Sequence, residues 1–267
     1  MKKAIFFDAD GTLIDIQKGM TEETKRSLLE LKENGHELFL CTGRGRSFLS
    51  DELEHIPFTG MICSMGAYIE INGKKVFSKE IPLDIGKYSV EILRKNKMVP
   101  VLEGASYMYY DLEEYTTEID WFADLITAQL GNRHKQIRGN EEELHFSKIS
   151  AKHNSRSNIE SACSQLSEFY NFIYHEGAFV GRTVEMIVKG CSKGVACAVI
   201  CSVLGIDKKD TIAFGDSNND IELFDACGFK IAMGDASIRL KSSADLITSN
   251  REREGITIAL RKLNLIG

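Results

Sequence analysis

At 267 residues, with 43% hydrophobic and 27% charged side chains, the chain has the balance of a folded protein and the length for an α/β core with an insert, or for two modest lobes. A net charge of −6 excludes the basic footprint that nucleic acid requires, so an anionic ligand must be drawn in locally by a metal ion and a few placed cations. The short apolar run before Asp8 is too brief for a secretion signal or a membrane span, and the cysteines scattered from Cys41 to Cys227 lack the pairing of a disulfide framework, so a reducing cytoplasm is expected.

The run Lys3 to Phe7, ending at Asp8, reads as a buried strand. Thr21 then offers an N-cap, Glu22 and Glu23 suit the positive end of a helix, and Leu28 and Leu31 mark its apolar stripe before Gly35 closes it. A second strand, Leu38 to Cys41, stops at Thr42-Gly43. Strand, helix and strand in succession predict parallel neighbours that end on the same edge of a sheet. A third apolar piece, Met61 to Cys63, leads into Tyr68 to Ile71 and Lys74 to Phe77. Asn72-Gly73 joins that last pair, and its residue types suit the positive φ angles of a tight hairpin turn.

From about Pro82 to Val188 the rhythm changes. Helical patterns near 84–96, 112–129 and 155–168 are interleaved with strand patterns near 99–110, 146–152, 171–175 and 183–188. The stretch holds the single tryptophan, Trp121, but no compact catalytic motif. An inserted α+β lobe that serves as a lid or substrate selector fits this composition. The parallel-sheet rhythm returns with a helix over 192–204, a strand at 211–214, a helix over 218–226 and a strand at 230–232. The expected fold is therefore α/β. A Rossmann-like parallel-sheet core is split between residues 1–82 and 189–267, residues 83–188 form an inserted α+β cap, and the two crossings are short hinges. Cys197 and Cys201, four apart on a helix, could share a face as metal ligands, but no His or second Cys pair completes a site, so core packing is the reading adopted.

Asp8-Ala9-Asp10-Gly11-Thr12 follows the first strand directly, placing two carboxylates at the carboxyl edge where open α/β sheets bind ligands. Gly11 lets the backbone turn and bring a peptide N–H to a phosphate oxygen, while one aspartate can act as nucleophile and the other as general acid. Turn and helix-cap duty is the plainer reading of these residues taken alone. Thr42-Gly43 ends the second strand with a hydroxyl and a backbone N–H suited to phosphate oxygens, yet would equally make an ordinary strand-to-helix turn. Lys193 opens a helix after Ser192, where an ammonium could neutralise a transferring phosphoryl group, although a lone lysine is usually solvated surface. Gly215-Asp216-Ser217-Asn218-Asn219-Asp220 follows another strand and adds carboxylates and amides, the hard oxygen ligands that Mg2+ prefers. Each motif has a bland reading; all of them fall where strands deliver their ends to one edge.

In this order and context, Asp8 to Thr12, Thr42-Gly43-Arg44, Lys193 and Gly215 to Asp220 resemble the haloacid dehalogenase-like superfamily. The insert between the Thr and Lys motifs, with the closing run Ile231 to Ala236 and Ala244-Asp245, is similar to the Cof-type phosphatase branch, subclass IIB, with its type C2 cap. The resemblance implies an Mg2+-dependent phosphatase that hydrolyses small phosphorylated metabolites through a phosphoaspartyl intermediate. Asp8 would be the nucleophile, and Asp10 would protonate the leaving alcohol and then activate water. Asp8, the backbone carbonyl of Asp10, and Asp216 would hold Mg2+, with Asp220 supporting the metal site. Thr42, Gly43, Lys193 and Asn219 would bind the phosphoryl group. The physical need agrees, since attack of one anion on another is opposed by repulsion unless Mg2+ and Lys193 offset it. Where many Cof-type sequences carry Asn-Gly-Ala after the third strand, this one has Met65-Gly66-Ala67, which leaves the core mechanism intact but weakens substrate analogies through that loop.

Three rivals stand beside this reading. A phosphomutase could use the same nucleophile and would reveal itself by needing a bisphosphate activator. A response-regulator-like phospho-switch carries its phosphorylated Asp on a later strand than its acidic pair, unlike Asp8 and Asp10. A non-catalytic metabolite-binding protein on this fold would be expected to lose Asp8 or Asp10, and both are present. Sugar phosphates lead as substrates, with phosphorylated cofactors such as flavin mononucleotide or pyridoxal phosphate open. Arg44, Arg46 and Arg182 are weak candidates for a substrate's distal groups, since exposed arginine is more often solvated surface. No membrane, nucleic acid or obligate protein partner is expected.

Overall fold

The computed structural model describes residues 2–114, 130–177 and 181–267. Contacts divide the chain into two units: Met1–Gly43, Asp51–Phe77 and Cys191–Gly267 form the first, Arg44–Ser50 and Ser78–Gly190 the second. The expected helix near 112–129 lies outside the described residues beyond a short turn at Leu112–Glu114, as does Trp121. Among the described residues no helix is long and apolar enough to cross a membrane.

In the first unit, β1 (Ala4–Asp8) is buried along its whole length, as an apolar run covered on both faces of a parallel sheet should be. α1 (Glu22–Glu33) starts as expected, the Thr21 hydroxyl accepting the Thr24 N–H at 3.2 Å. β2 (Glu37–Cys41) pairs with β1 in parallel, and the rings of Phe39 and Phe6 stack 4.6 Å apart. After the short α2 (Asp51–Glu54), β3 (Gly60–Cys63) continues the parallel sheet and β4 (Tyr68–Ile71) turns back antiparallel to it. The hairpin to β5 (Lys74–Ser78) has Asn72 and Gly73 at φ 51° and 70°, the backbone an Asn-Gly turn demands.

In the second unit, α3 (Leu83–Lys95) precedes β6 (Val99–Glu103), β7 (Met108–Tyr109), β8 (His134–Lys135) and β9 (Lys148–Lys152); α4 (Ile159–Leu166), β10 (Tyr170–Gly177) and β11 (Gly181–Val188) complete it. These strands form one sheet in the order β10-β11-β9-β6-β7-β8. The stretch 99–110, expected as one strand, is two. Gly104 ends β6: its N–H turns to the Tyr107 carbonyl at 3.0 Å, and a side chain there would lie 2.2 Å from the His145 carbonyl oxygen. Side chains alternate across the sheet. Leu102, Ile149, Ala151, Val184 and Met186 join Leu93 and Leu166 of the two helices in the core. Glu103, Lys148, Ser150, Lys152, Thr183 and Glu185 occupy the alternate positions, and all but Glu185 are buried.

The chain re-enters the first unit through α5 (Lys193–Leu204), β12 (Thr211–Gly215), α6 (Ile221–Ala226), β13 (Phe229–Ala232), α7 (Ile238–Ser243), β14 (Leu246–Ile247) and α8 (Gly255–Lys262). β12 pairs in parallel with the other side of β1, giving the order β14-β13-β12-β1-β2-β3-β4-β5. α1 packs on α8, where the Ser27 and Thr257 hydroxyls share a buried hydrogen bond of 2.7 Å, and α5 packs on α6. The register aligns Asp8 with Cys41 of β2 and Phe7 with Phe214 of β12. The C-terminal ends of these parallel strands therefore lie side by side, at Asp8, Thr42 and Gly215.

Candidate active site

Asp8 is the last residue of β1 and is buried. The chain then folds into a tight turn in which the Leu13 and Ile14 N–H groups both donate to the Ala9 carbonyl and the Gly11 N–H donates to the Ile14 carbonyl, each at 2.9 Å. Gly11 has φ +84°, and a Cβ on it would lie 2.5 Å from Asp216 Oδ2, so this position has neither the backbone nor the space for a side chain. Asp10 is exposed on the same turn. At the end of β2, Thr42 is buried; its N–H donates to the Ile62 carbonyl at 2.8 Å and its own carbonyl accepts the Met65 N–H at 3.2 Å.

Lys193 has no exposed surface. Its Nζ donates to Asp8 Oδ1 at 2.5 Å, Asp220 Oδ1 at 2.6 Å and Asn219 Oδ1 at 3.3 Å. The helix start that carries it is fixed three times over. The Ser192 side chain caps α5 by accepting the Val195 N–H at 3.2 Å. Gly66, at φ +94°, lets the β3–β4 connection run so close that a Cβ would be 2.3 Å from the Ser192 carbonyl oxygen. Gly194 does the same against the Glu222 carbonyl oxygen, also 2.3 Å.

After β12, Asp220 folds back on its own loop, Oδ2 accepting the Asp216 N–H at 3.1 Å and the Ser217 N–H at 3.2 Å. The Ser217 hydroxyl donates to Asn219 Oδ1 at 2.8 Å, and the Thr12 hydroxyl to Asp216 Oδ1 at 3.4 Å. The expected helix over 218–226 begins as a tight turn at Asn218–Asp220 before α6, and that turn is what aims Asn219 and Asp220 at Lys193.

One carboxylate oxygen from each of Asp8, Asp216 and Asp220 lies within 4.8 Å of the others. Burial, reinforced by the charge of Asp220, pushes Asp8 well above the usual carboxylate range, and Lys193 offsets only part of that. Asp216 is pushed up to about 7, by burial first and Asp220 second. Burial would lower Lys193, but Asp220 and Asp8 outweigh it and hold the ammonium well above its ordinary value. A buried surplus of carboxylate over ammonium is relieved by a bound cation, and an all-oxygen donor set suits a hard one such as Mg2+. Both oxygens of Asp220 are already engaged, by Lys193 and by two backbone N–H groups, which fits it to support a metal site rather than to lead it.

The contacts thus join Asp8, Lys193, Asp216, Asn219 and Asp220, with Thr42 at the neighbouring strand end. Arg44, Arg46 and Arg182 lie in the second unit. Arg44 is buried with its guanidinium 5.0 Å from the centre of the Phe48 ring, Arg46 opens the short turn to Phe48, and Arg182 is exposed on β11. Cys197 is buried with its sulfur 3.7 Å from that of Cys227, as core packing requires; Cys201 is half-buried. Thr12, Ser217 and Gly66 also shape the site. They lie in the stretches Asp8 to Thr12, Gly215 to Asp220 and Met65 to Ala67, but nothing in a linear spacing says which oxygen a hydroxyl will meet or which backbone a glycine will approach.

The family model of haloacid dehalogenase-like hydrolases matches residues 5–260. YkrA of Bacillus subtilis (strain 168) is 26% identical over 274 residues, covering 99% of this chain and 98% of its own length. The 5-amino-6-(5-phospho-D-ribitylamino)uracil phosphatase YitU of the same organism is 26% identical over 271 residues, 97% of this chain and 96% of its own. Among solved structures, the HAD subclass IIB sugar phosphatase BT4131 superposes with a TM-score of 0.79 at 18% identity, covering 99% of this chain and all of that one, a likeness of fold.

Proposed function

The chain belongs to the haloacid dehalogenase-like hydrolase family, and we propose that it is a phosphatase of the Cof-type branch that hydrolyses the phosphomonoester of a small metabolite in the cytoplasm, with Asp8 as nucleophile and Mg2+ as cofactor, a reading supported by its likeness to YkrA and YitU along its whole length. The observation that carries this is the buried Lys193 ammonium held between Asp8 and Asp220. A permanent cation touching a buried carboxylate at a strand end serves phosphoryl transfer well and the stability of a surface turn not at all.

In the first step an Asp8 carboxylate oxygen attacks phosphorus and the bond from phosphorus to the alcohol oxygen breaks, Asp10 giving its proton to that oxygen. In the second, Asp10 takes a proton from water, the water oxygen attacks phosphorus, and the bond to Asp8 breaks to release orthophosphate. Exposure suits Asp10 to exchange protons with leaving alcohol and water, while burial keeps Asp8 at the strand end. Lys193 stays beside Asp8 throughout and offsets phosphoryl charge, and Thr42, Gly43 and Asn219 orient the phosphoryl oxygens. Asp8, Asp216 and the Asp10 carbonyl would hold Mg2+, with Asp220 in support, and the ion would supply further positive charge against the anionic nucleophile and phosphoryl group.

Sugar phosphates and phosphorylated cofactors or their precursors are the substrate classes proposed, the 5-amino-6-(5-phospho-D-ribitylamino)uracil in YitU's name among them. Phosphate release from a panel of such monoesters, with Mg2+ or with chelator, tests the reading. Turnover that needs Mg2+ is expected; turnover only when a sugar bisphosphate is added would indicate a mutase, and release undiminished by chelator would exclude the metal's role.

A further inference from the structure

Three thiols of the first unit meet between α5 and the end of α6. Cys197 Sγ lies 3.7 Å from Cys227 Sγ, and the Cys197 thiol also donates to the sulfur of Cys201, one turn further along α5. Of the seven cysteines six are buried, and Cys201 is half-buried in the last turn before Gly205 closes the helix. Packing accounts for the burial of Cys197 and Cys227. It does not account for a chain of sulfur contacts that leads from this buried pair to the half-exposed end of the helix. The hydrogen bond from Cys197 holds the Cys201 thiol below its ordinary value, against the opposing effect of burial. Cys197, bonded to Cys201 and Cys227, is held above its own. The accessible thiol is thus also the one richer in thiolate, the form that attacks an oxidant.

We infer that Cys201, Cys197 and Cys227 form a relay for a peroxide oxidant that ends in a disulfide between Cys197 and Cys227. First, the Cys201 sulfur attacks one oxygen of hydrogen peroxide and the O–O bond breaks. The sulfur, oxidised by two electrons, becomes a sulfenic acid, and the other oxygen leaves as water. Next, the Cys197 sulfur attacks that of Cys201, the S–O bond breaks, and hydroxide departs with the Cys197 proton as water. Residues four apart on a helix hold their Cβ atoms roughly 5–6 Å apart, beyond the roughly 3.5–4.5 Å of a disulfide, so this bond forms only as the last turn of α5 frays and has no settled place in the fold. Finally, the Cys227 sulfur, already beside Cys197, attacks it. The bond to Cys201 breaks and the Cys227 proton passes to Cys201, whose lowered thiol value makes it the better leaving group. The product joins α5, which opens with Lys193, to the end of α6, which follows the turn carrying Asn219 and Asp220. In a reducing compartment such a bond is transient, as cytosolic disulfides are.

The test is mass spectrometry of the full chain, reduced, exposed to a few equivalents of hydrogen peroxide, alkylated and cut with trypsin. Trypsin leaves Cys197 and Cys201 together on peptide 194–208 and Cys227 on peptide 210–230. The expected result is an intact single chain two hydrogens lighter, these two peptides linked with Cys201 alkylated, and full reversal by dithiothreitol. Cys201→Ala, at a helical position that alanine suits, should slow the link about tenfold or more. Cys227→Ala should hold the oxidation within peptide 194–208, as a sulfenic acid trapped by dimedone on Cys201 or as a bond between Cys197 and Cys201. A chain that peroxide leaves untouched overturns the relay. So does an oxidised Cys201 without the linked pair, or a first reaction at another cysteine. A link that forms as fast in Cys201→Ala overturns the entry point, and with it the relay; should Cys227→Ala fail to fold, that comparison decides by itself.

Discussion

Lys193 has three oxygens around an ammonium without exposed surface, so it cannot be replaced by solvent when it is removed. Lys193→Met keeps much of the volume and deletes the charge, leaving Asp8 and Asp220 buried without their cation. Breaking a buried pair in this way costs roughly 3–5 kcal/mol, and loss of one preorganised charge partner lowers kcat by roughly 10²–10³-fold. Urea unfolding and steady-state kinetics read the two effects separately; near-native turnover in a folded Lys193→Met would contradict the role assigned to it. Its place after Ser192 at the start of a helix read, taken alone, as solvated surface; only its order among the Asp8, Thr42 and Gly215 to Asp220 motifs, and the resemblance they carry, singled it out. Its neighbours were less legible, because Thr12 and Gly66 act through contacts with Asp216 and Ser192 that exist only once β1, β12 and α5 have met, and Ser217 meets Asn219 only in the tight turn ahead of α6.

At the scale of elements, the polar face of the second unit's sheet carries its own ionic cluster. Burial would raise Glu185, but Lys148 and His175 outweigh it and hold its carboxyl down to about 2 from 4.5. A depressed carboxylate stabilises the fold fully above its unfolded value and loses that contribution as pH falls from 4.5 through about 2. The urea midpoint of the wild-type chain should therefore fall across that window. In Lys148→Met, which leaves buried Glu103 and half-buried Glu185 without that ammonium, stability near neutral pH should drop by roughly 3–5 kcal/mol and the acid limb should flatten. Parallel curves for the two proteins would contradict the pairing. Elements with a clear period were legible in the sequence: β1, β2, α1 and the Asn72-Gly73 hairpin stand where residue pattern alone put them. Short ones were not. Two residues of β14 or six of α7 carry no period, and the break between β6 and β7 is set by the approach of Gly104 to the His145 backbone, which no local pattern records.

At the scale of the molecule, a core interrupted by a long insert was visible because the motifs at Asp8, Thr42, Lys193 and Asp216 each follow or open a recognisable element, and only a sheet with β1 between β2 and β12 brings them together. What the inserted residues select was not visible, since a selecting side chain is defined by the ligand it meets. In the proposed mechanism the phosphoryl group passes through Asp8. The most direct measurement is rapid acid quench of the Asp10→Asn enzyme with Mg2+ and a monoester that the wild type turns over, followed by mass spectrometry of the peptide containing position 8. Asp10→Asn also lacks the acid of the first step, so the monoester is an aryl phosphate, whose phenolate departs without a proton; lacking the base for the second step, the variant is expected to hold one phosphoryl group on Asp8, absent when Asp8→Asn is added. A wild-type enzyme that releases phosphate while no phosphoryl group is ever found on Asp8, or one found on another residue, would contradict the account.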